Sequence, residues 1–221
     1  MPRASDTSAS PRKGALTRQA ILAQAVQIAS TEGLEALSIG RLAEALAMSK
    51  SGVFAHFGSK QELQLATLDA ALQRFVAEAL QPALLHDAGL PRLWALCSQY
   101  LSYLERRVFP GGCFLLATWA EYDSQPGAMR DAAAAAMRTW AGAIERAVIA
   151  AQAAGHVDPA VDSSQLAFEL NALLQGANSA FLLSNERSDF DRARVAIHDR
   201  LSRLATAQAP SLPEVPPAGV T

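Results

Sequence analysis

The sequence predicts an all-α protein, with a small N-terminal domain of short helices and a larger C-terminal domain of longer ones, about nine helices in all. Apolar residues recur every three or four positions through most of the chain, which is typical of amphipathic helices. Runs in which β-branched or aromatic residues alternate with polar ones, which would predict strands, are missing. Hydrophobic residues make up 50% of the 221 residues. That share is enough for a substantial core and excludes a wholly disordered chain.

The first helix is predicted to begin at Thr17 and to end at Gly33. Threonine is a good N-cap residue, because its hydroxyl oxygen can accept a hydrogen bond from a free amide of the first turn. Apolar residues from Ile21 to Ala29 follow at helical spacing, and glycine is common just beyond a helix C-terminus. Residues 1–14 are rich in proline and serine and are predicted to be disordered.

Three further N-terminal helices are predicted from serine N-caps. Ser38 begins a short helix, a three-residue turn follows it, and Ser49 begins a second short helix that ends at Phe57. A longer helix begins at Ser59, which is predicted to form a capping box with Glu62. In a capping box, the side chain of each residue accepts a hydrogen bond from the backbone amide of the other.

Proline and glycine set the predicted bounds of the longer helices. Pro82 is predicted to end the helix that begins at Ser59, because proline lacks an amide hydrogen and clashes with the preceding turn. The later helices are predicted to span about residues 91–107, 113–122, 125–154, 162–183 and 189–206. Residues 207–221 are proline-rich and are predicted to form a disordered tail.

The net charge of −2 hides an uneven distribution along the chain. Residues 1–60 contain seven Lys or Arg and four Asp or Glu, a net charge of +3, whereas residues 61–221 contain twelve and seventeen, a net charge of −5. A basic N-terminal part joined to an acidic remainder is typical of a chain in which one part contacts a polyanion. The charge of the whole chain is therefore a poor guide to nucleic-acid binding.

Composition excludes several other classes of protein. The two cysteines, Cys97 and Cys113, are too few for a disulfide scaffold and lack the spacing of a zinc site. We expect both to be buried in a reducing cytosol, and we expect no metal and no cofactor. No apolar run reaches the length of about 18 residues that a membrane span needs, and the N-terminus lacks the apolar core of a signal peptide. The chain is therefore expected to be soluble and cytoplasmic.

The two short helices and the turn between them form a helix-turn-helix pattern. So short a helix is not stable alone in water, so one side of each must pack against the first helix. The residues predicted to make this contact are Leu42, Leu46, Met48, Val53 and Phe57, facing Leu22, Val26 and Ile28. The residues left on the other side of the third helix are Lys50, Ser51, Gly52, Ala55 and His56. Small and basic side chains of this kind suit the major groove of double-stranded DNA, which admits one α-helix.

The N-terminal sequence resembles a known family. The DNA-binding domain of TetR/AcrR transcriptional regulators is similar to the run from Thr17 to Leu63, which reads TRQAILAQAVQIASTEGLEALSIGRLAEALAMSKSGVFAHFGSKQEL. The matching features are I-x-x-A in the first helix, then G-x-x-x-x-S/T-x-x-x-[IL]-A, then S-K-x-x-x-[FY]-x-H-F-x-S-K-x-x-L. The resemblance implies a homodimer of helical subunits. It also implies that the third helix reads the major groove and that a C-terminal domain binds a small-molecule effector.

This resemblance extends over about residues 14–70 and predicts the parts of the chain. They are a disordered arm (1–14), a helix-turn-helix DNA-binding domain (15–62), a ligand-binding and dimerisation domain (63–206) and a disordered tail (207–221). The predicted DNA-binding residues are Ser38, Arg41, Ser49, Lys50, Ser51, Gly52, Phe54, His56 and Lys60. Two features depart from the family pattern. Phe54 and Ala55 stand where Tyr-Tyr or Tyr-Trp is usual, so a tyrosine-phosphate contact is lost, and the glycine that usually follows Lys50 is one place later.

The C-terminal domain has no catalytic constellation, because its histidines lie far in sequence from any usable nucleophile or carboxylate. We therefore do not expect an enzyme. Its helices carry aromatic and polar residues among apolar ones, and buried amides need hydrogen-bond partners. These residues are predicted to line a pocket for an apolar ligand, with plain core or a dimer contact as the alternatives. The candidate ligand-binding residues are Trp94, Cys97, Leu101, Phe114, Thr118, Trp119, Tyr122, Met137, Trp140, Asn171, Gln175 and Asn178.

The last two helices resemble the dimer unit of the family, in which two such pairs form a four-helix interface about a two-fold axis. The candidate dimerisation residues are Leu166, Leu170, Leu173, Leu174, Gly176, Ala177, Phe181, Val195 and Leu201. The sequence thus predicts a homodimeric repressor that binds a palindromic operator and is released by a small, mostly apolar effector. Two alternatives stay open: a TetR-type activator, and a helical ligand-binding or scaffold protein whose DNA binding is weak or lost.

Overall fold

A computed structural model of the chain describes residues 9–215, with side chains from residue 14 onward. The helices are α1 (Ala9–Glu32), α2 (Ile39–Ala45), α3 (Lys50–Phe57), α4 (Lys60–Phe75), α5 (Gln81–Leu84), α6 (Leu90–Glu105), α7 (Phe114–Tyr122), α8 (Ala128–Ala153), α9 (Ser163–Ser184) and α10 (Ser188–Leu204). A π-helical segment, Val76–Leu80, joins α4 to α5. Residues 9–215 contain no β-strand, and the all-α prediction is confirmed.

The chain divides into two compact units, one up to Ala71 and one from Leu72 onward. The predicted domain boundary, after residue 62, lies at the start of α4, whereas the two units divide inside this helix. The N-terminal unit therefore contains α1, α2, α3 and most of α4. The C-terminal unit contains the π-helical segment and α5 to α10.

A small core beneath the two short helices holds the N-terminal unit together. Leu42 of α2 and Val53 of α3 are fully buried, Phe57 is nearly so, and Ile21 of α1 is buried with them. The Arg18 guanidinium lies 5.1 Å from the centroid of the Phe57 ring, a cation–π contact that adds to this core. Because α2 and α3 have only seven and eight residues, tertiary burial rather than intrinsic stability keeps them helical.

In the C-terminal unit, α6 contacts α8, α9 and α10, and α8 also contacts α7. The core between these helices includes Leu101, Ile144, Leu170 and Leu201, which are all fully buried. Each of them lies on the apolar stripe of its own helix, as the spacing of three to four residues predicts. The later helices begin and end within a few residues of their predicted bounds.

Helix α1 begins earlier than the sequence predicted. Its described part starts at Ala9 rather than at Thr17, so residues 9–14 are helical and not disordered. Pro11 does not prevent this, because the amides in the first turn of a helix have no acceptor within the helix and proline is tolerated there. The predicted disorder of residues 1–8 concerns a stretch outside the described residues.

The segment after α10 is attached to the loop that follows α8. The Thr206 amide donates a hydrogen bond to the His156 carbonyl (3.0 Å), and the Thr206 hydroxyl donates one to the Gly155 carbonyl. Residues 207–215 then form neither helix nor strand. The rest of the predicted tail, from residue 216, lies outside the described residues.

The helix that was predicted to end at Pro82 continues through this residue as α5. Proline cannot donate a hydrogen bond to the carbonyl four residues earlier, which is that of Glu78. This carbonyl instead accepts a hydrogen bond from Nη2 of Arg106 (3.0 Å), while Nη1 of Arg106 contacts the Glu78 carboxylate (2.7 Å). The π-helical segment also changes the bonding pattern, since the Gln81 amide donates to the Val76 carbonyl. Arg106, which directly follows α6, thus supplies a donor to the carbonyl that the proline leaves without one.

Arg106→Met is expected to lower the free energy of unfolding by about 1 kcal/mol, because the Glu78 carbonyl and carboxylate both lose a partly exposed charged donor. Chemical denaturation of the full chain measures the change. Arg138→Met is the matched control, since Arg138 is exposed on α8 and has no ion pair among the described residues. An equal loss in the two variants would contradict the role of Arg106.

Candidate nucleic-acid interface and ligand cavity

Helix α3 has an outer face that carries several predicted DNA-binding residues. Its N-cap residue, Ser49, accepts a hydrogen bond from the Gly52 amide (3.0 Å), and Val53 and Phe57 are buried on the inner face. The exposed residues of the outer face are Lys50, Ser51, Phe54 and Ala55. With Ile39 of α2, these four line a shallow, open concavity of about 420 Å³. A mixed basic and apolar surface of this size is available to a nucleic acid.

Lys50 and Phe54 give this concavity its chemistry. Phe54 exposes 53% of its surface, so a large apolar ring is available to thymine methyl groups or sugars where the family usually presents a hydroxyl. The Lys50 side chain runs towards Gly40 of α2, because a Cβ atom placed on Gly40 would lie 3.4 Å from Cε and 3.7 Å from Nζ of Lys50. The sequence did not single out Gly40, since only the packing of α2 against α3 brings the two residues together.

The predicted serines act as helix caps. Ser38 Oγ accepts a hydrogen bond from the Arg41 amide (3.1 Å), and Ser59 Oγ accepts one from the Glu62 amide (3.1 Å). The capping box at Ser59 is only half formed, because the Ser59 amide donates to the Phe57 carbonyl (2.8 Å) rather than to the Glu62 carboxylate. The remaining free amides of these first turns keep the positive end of each helix dipole available to an anion.

Two of the predicted DNA-binding cations are paired with carboxylates of the same unit. Arg41 donates to both carboxylate oxygens of Glu32, from Nη2 at 2.8 Å and from Nε at 3.3 Å, and this hydrogen bonding holds the pKa of Glu32 below its usual value. Lys60 Nζ lies 2.6 Å from Oε1 of Glu35. Both ion pairs are exposed to solvent, so Arg41 and Lys60 remain accessible to another anion, such as a phosphate.

His56 lies in the last turn of α3 and is half-buried. The centroid of its ring is 6.3 Å from that of Phe57, with an angle of 58° between the rings. The structure therefore places His56 partly in the packing of the unit and partly at its surface. This position is compatible with the DNA contact that the resemblance implies and with a packing role.

The C-terminal unit contains two adjoining cavities beside α8. One, of about 260 Å³, is lined by the end of the π-helical segment, α5, α6 and α8, and the other, of about 200 Å³, by α4, the π-helical segment, α7 and α8. The two cavities share Leu80, Ala143 and Arg146. Phe75 and Trp140 also line the second, and their rings meet edge to face at 5.3 Å. A concave, mostly apolar space with a few polar groups is typical of ligand sites.

Of the twelve predicted ligand-binding residues, Trp140 alone lines either of these two cavities. The predicted residues that are instead buried elsewhere in the unit are Trp94, Cys97, Leu101, Phe114, Thr118, Tyr122 and Asn178. Those that are half-buried or exposed are Met137, Asn171, Gln175 and Trp119. The stripes that carry the buried members face the interior of the unit.

Two of the three predicted amide side chains have hydrogen-bond partners inside the chain. Asn178 Oδ1 accepts a hydrogen bond from the Cys113 amide (2.9 Å), and Asn171 Oδ1 accepts one from Nε1 of Trp140 (3.0 Å). Both cysteines are free and buried, as predicted, and burial raises the pKa of the Cys97 thiol to about 12 and also raises that of Cys113. The side-chain oxygens of Asn178 and Asn171 are thus satisfied within the chain, and burial disfavours the charged form of both thiols.

Most of the predicted dimerisation residues lie inside the subunit. Those that are buried, with 7% or less of their surface exposed, are Leu166, Leu170, Leu174, Ala177, Phe181 and Leu201. Leu173 is half-buried, whereas Gly176 and Val195 are exposed. The outer face of α9 carries a row of exposed residues that shares only Gly176 with the predicted set. This row is here called the α9 stripe and consists of Phe168, Ala172, Gly176, Ser179, Ala180 and Leu183. The buried residues pack within the subunit, whereas the α9 stripe is exposed.

The described part of the chain offers no other obvious chemistry. No group of three or more His, Cys, Asp or Glu side chains in it is placed to hold a metal ion. None of its helices is long and apolar enough to cross a bilayer. A helix-turn-helix unit with an exposed α3, followed by an all-α unit that contains an apolar cavity, defines the class of helix-turn-helix transcriptional regulators.

Comparison with known proteins gives the family. Residues 21–67 match the family model described as "Bacterial regulatory proteins, tetR family", and residues 89–197 match the one described as "Tetracyclin repressor-like, C-terminal domain". The chain therefore belongs to the TetR family of DNA-binding transcriptional regulators. The resemblance found in its N-terminal sequence is confirmed, and it extends to the C-terminal unit.

Individual relatives support the same assignment. The HTH-type transcriptional repressor ComR of Escherichia coli (strain K12) is 25% identical over 167 residues, which are 72% of this chain and 76% of ComR. The crystal structure of a TetR regulator from Chloroflexus aurantiacus J-10-FL is 26% identical, covers 88% of this chain and 98% of its own, and has a TM-score of 0.82. AibR in complex with isovaleryl coenzyme A and operator DNA is 20% identical, with coverages of 85% and 97% and a TM-score of 0.63. ComR and the Chloroflexus protein are named as transcriptional regulators, and AibR shares the fold.

Proposed function

We propose that this chain is a homodimeric repressor, which binds a palindromic operator and leaves it when a small, mostly apolar molecule occupies the C-terminal cavities. The observation that carries the proposal is the presence, in one chain, of the exposed α3 face and of an apolar cavity in a separate compact unit. ComR is named as a repressor, and AibR was solved with both an organic ligand and operator DNA. Binding to the chromosome would place this activity in the cytoplasm.

In this proposal α3 enters the major groove and the paired cations contact phosphates on either side. Phe54 and Lys50 face the groove, while Arg41 and Lys60 exchange their carboxylate partners for phosphate oxygens. Exposed ion pairs contribute little to stability in water, so this exchange is easy. The release of counterions from the DNA then supplies much of the binding free energy.

The effector would control binding through a shift between two arrangements of the protein. A ligand can displace such an equilibrium only as far as it binds one arrangement better than the other. The π-helical segment is a suitable place for that difference, because Val76 and Leu80 line the cavities and the segment continues from α4, which begins in the DNA-binding unit.

Lys50→Ala and Lys60→Ala are each expected to weaken binding to every duplex and to reduce the slope of log Kd against log salt by about 0.9, because each removes one phosphate contact. The measurement is a band shift at several salt concentrations, with the full chain and a duplex selected from genomic DNA. Arg138→Ala serves as control, since it removes one positive charge from the C-terminal unit. An unchanged slope in both lysine variants would reject these two contacts.

Transcription from the promoter that contains the selected duplex distinguishes a repressor, an activator and a scaffold protein. If the protein is a repressor, deleting its gene raises transcription from the promoter that contains the duplex, whereas a fall in transcription indicates an activator. If the full chain selects no duplex at all, the alternative of a ligand-binding or scaffold protein without DNA binding is supported. The loss of a tyrosine hydroxyl at Phe54 is the feature that favours this alternative.

A further inference from the structure

The two adjoining cavities of the C-terminal unit have charged groups of a single sign. Arg92 of α6 lines the first, and Arg146 of α8 lines both. All other lining residues in this described region are apolar except Thr139, and none is acidic. A mostly apolar space with only cations at its edge favours one class of ligand over neutral or cationic molecules.

Arg146 is available to a ligand. Among residues 14–215 it has no carboxylate within ion-pair distance, unlike Arg106, Arg194 and Arg200 of the same unit. Its guanidinium folds back along α8 over Gly142, where a Cβ atom would lie only 3.1 Å from Nη1 of Arg146. The missing side chain at Gly142 thus leaves room for the guanidinium at the point that the two cavities share.

Arg92 is fixed beside the same space. Its Nε and Nη2 atoms donate hydrogen bonds to the His86 carbonyl, at 3.1 and 2.9 Å. These bonds use one edge of the guanidinium and hold its positive charge at the cavity that contains Leu84 and Leu96. Arg92 therefore adds a fixed positive potential at the cavity. The Arg146 guanidinium is the group that can donate hydrogen bonds to a ligand.

We propose that the effector is an amphipathic anion, with an apolar chain in the two cavities and a terminal carboxylate or phosphate on Arg146. This inference rests on the proposed function, in which these cavities hold the effector. A guanidinium binds either anion with two parallel hydrogen bonds, and such charged bonds are stronger beside apolar walls than in open water. A neutral ligand forms no such bonds, and a cation is repelled by both arginines.

Isothermal titration calorimetry with the full chain tests this inference, with decanoate, decyl phosphate and decanol as probes, all below their micelle concentrations. At least one of the two anions is expected to bind at least about tenfold more tightly than decanol, because decanol cannot form the charged hydrogen bonds. The tighter of the two anions identifies the head group. Arg146→Gln is expected to weaken that anion by about tenfold and to leave decanol unchanged.

Arg138→Gln is the matched control, because it removes an exposed arginine of α8 that lines neither cavity. Equal binding of decanol and the anions, no binding of either anion, or an Arg146→Gln variant with unchanged affinity would each overturn the inference.

Ala143→Phe separates this inference from the proposed function, because Ala143 lines both cavities. If it abolishes decanol binding while Arg146→Gln has no effect, the cavities are the site and only the anionic head group is wrong. Thr139→Phe is a second variant, at an exposed position of the second cavity. If neither Ala143→Phe nor Thr139→Phe changes the binding of any probe, the ligand site itself lies elsewhere.

Discussion

Ala55→Glu is expected to reduce operator affinity by at least about 100-fold. Ala55 is exposed on the outer face of α3 and lines the concavity with Lys50 and Phe54. A carboxylate there faces the phosphates and the acceptor-rich base edges of the groove, and like charges brought together at an interface cost several kcal/mol. The bulkier side chain also keeps the helix from approaching the bases closely. Fluorescence anisotropy with the selected duplex measures the loss.

Ala23→Glu is the matched control for this experiment. Ala23 is also an exposed alanine of the N-terminal unit, on α1, and it does not line the concavity. It adds the same charge to the same unit, and screening by salt limits such a distant effect to about threefold or less. Thermal unfolding of both variants should match that of the unaltered chain. A similar loss of affinity in the two variants would contradict the assignment of α3 as the reading helix.

The exposed face of α3 was predictable, because so short a helix leaves few choices for its buried side. Val53 and Phe57 of α3 lie at helical spacing and must be buried to keep the helix folded. The side that carries Lys50 and Ala55 is then necessarily the outer one. The ion pairs of this unit were not predictable, since Lys60 and Glu35 are 25 residues apart and only the folded chain brings them together.

The cavity could not be predicted from the same kind of pattern. An aromatic residue on the apolar stripe of a helix looks the same in sequence whether it fills the core or lines a cavity. Trp94 and Phe114 are core residues, whereas Trp140 lines a cavity and also stacks on the Tyr100 ring, 5.4 Å away. Which of these occurs depends on how helices from distant parts of the chain meet.

The exposed side of α9 could not be recognised in the sequence for a related reason. Helix α9 is apolar on more than one side, so hydrophobicity alone does not distinguish the side that packs within the subunit from the side that is free. Leu170 and Leu174 are completely buried against the rest of the unit, whereas Phe168 and Leu183 expose 70% and 91% of their surface. Only the contacts of α9 with α6, α8 and α10 show which side of this helix remains exposed.

Gly176→Arg is expected to convert the proposed homodimer into a monomer, with a dissociation constant raised by more than about 100-fold. Gly176 lies in the middle of the α9 stripe, between Ala172 and Ala180, where small side chains allow two helices to approach closely. An exposed apolar stripe of this kind indicates an interaction site. In a two-fold dimer the same residue occurs on both subunits, so two arginines meet near the axis, and both steric and like-charge terms oppose association.

The monomer itself should tolerate this substitution, which makes the experiment informative. A Cβ atom on Gly176 meets nothing within 4 Å, and replacing glycine inside an exposed helix raises helix stability by up to about 1 kcal/mol. Ala135→Arg, on the exposed side of α8, is the matched control. Light scattering coupled to size-exclusion chromatography should show a monomer for Gly176→Arg only, and operator affinity should fall with it, because one subunit holds only one half-site. A Gly176→Arg protein that remains dimeric would show that another face forms the dimer.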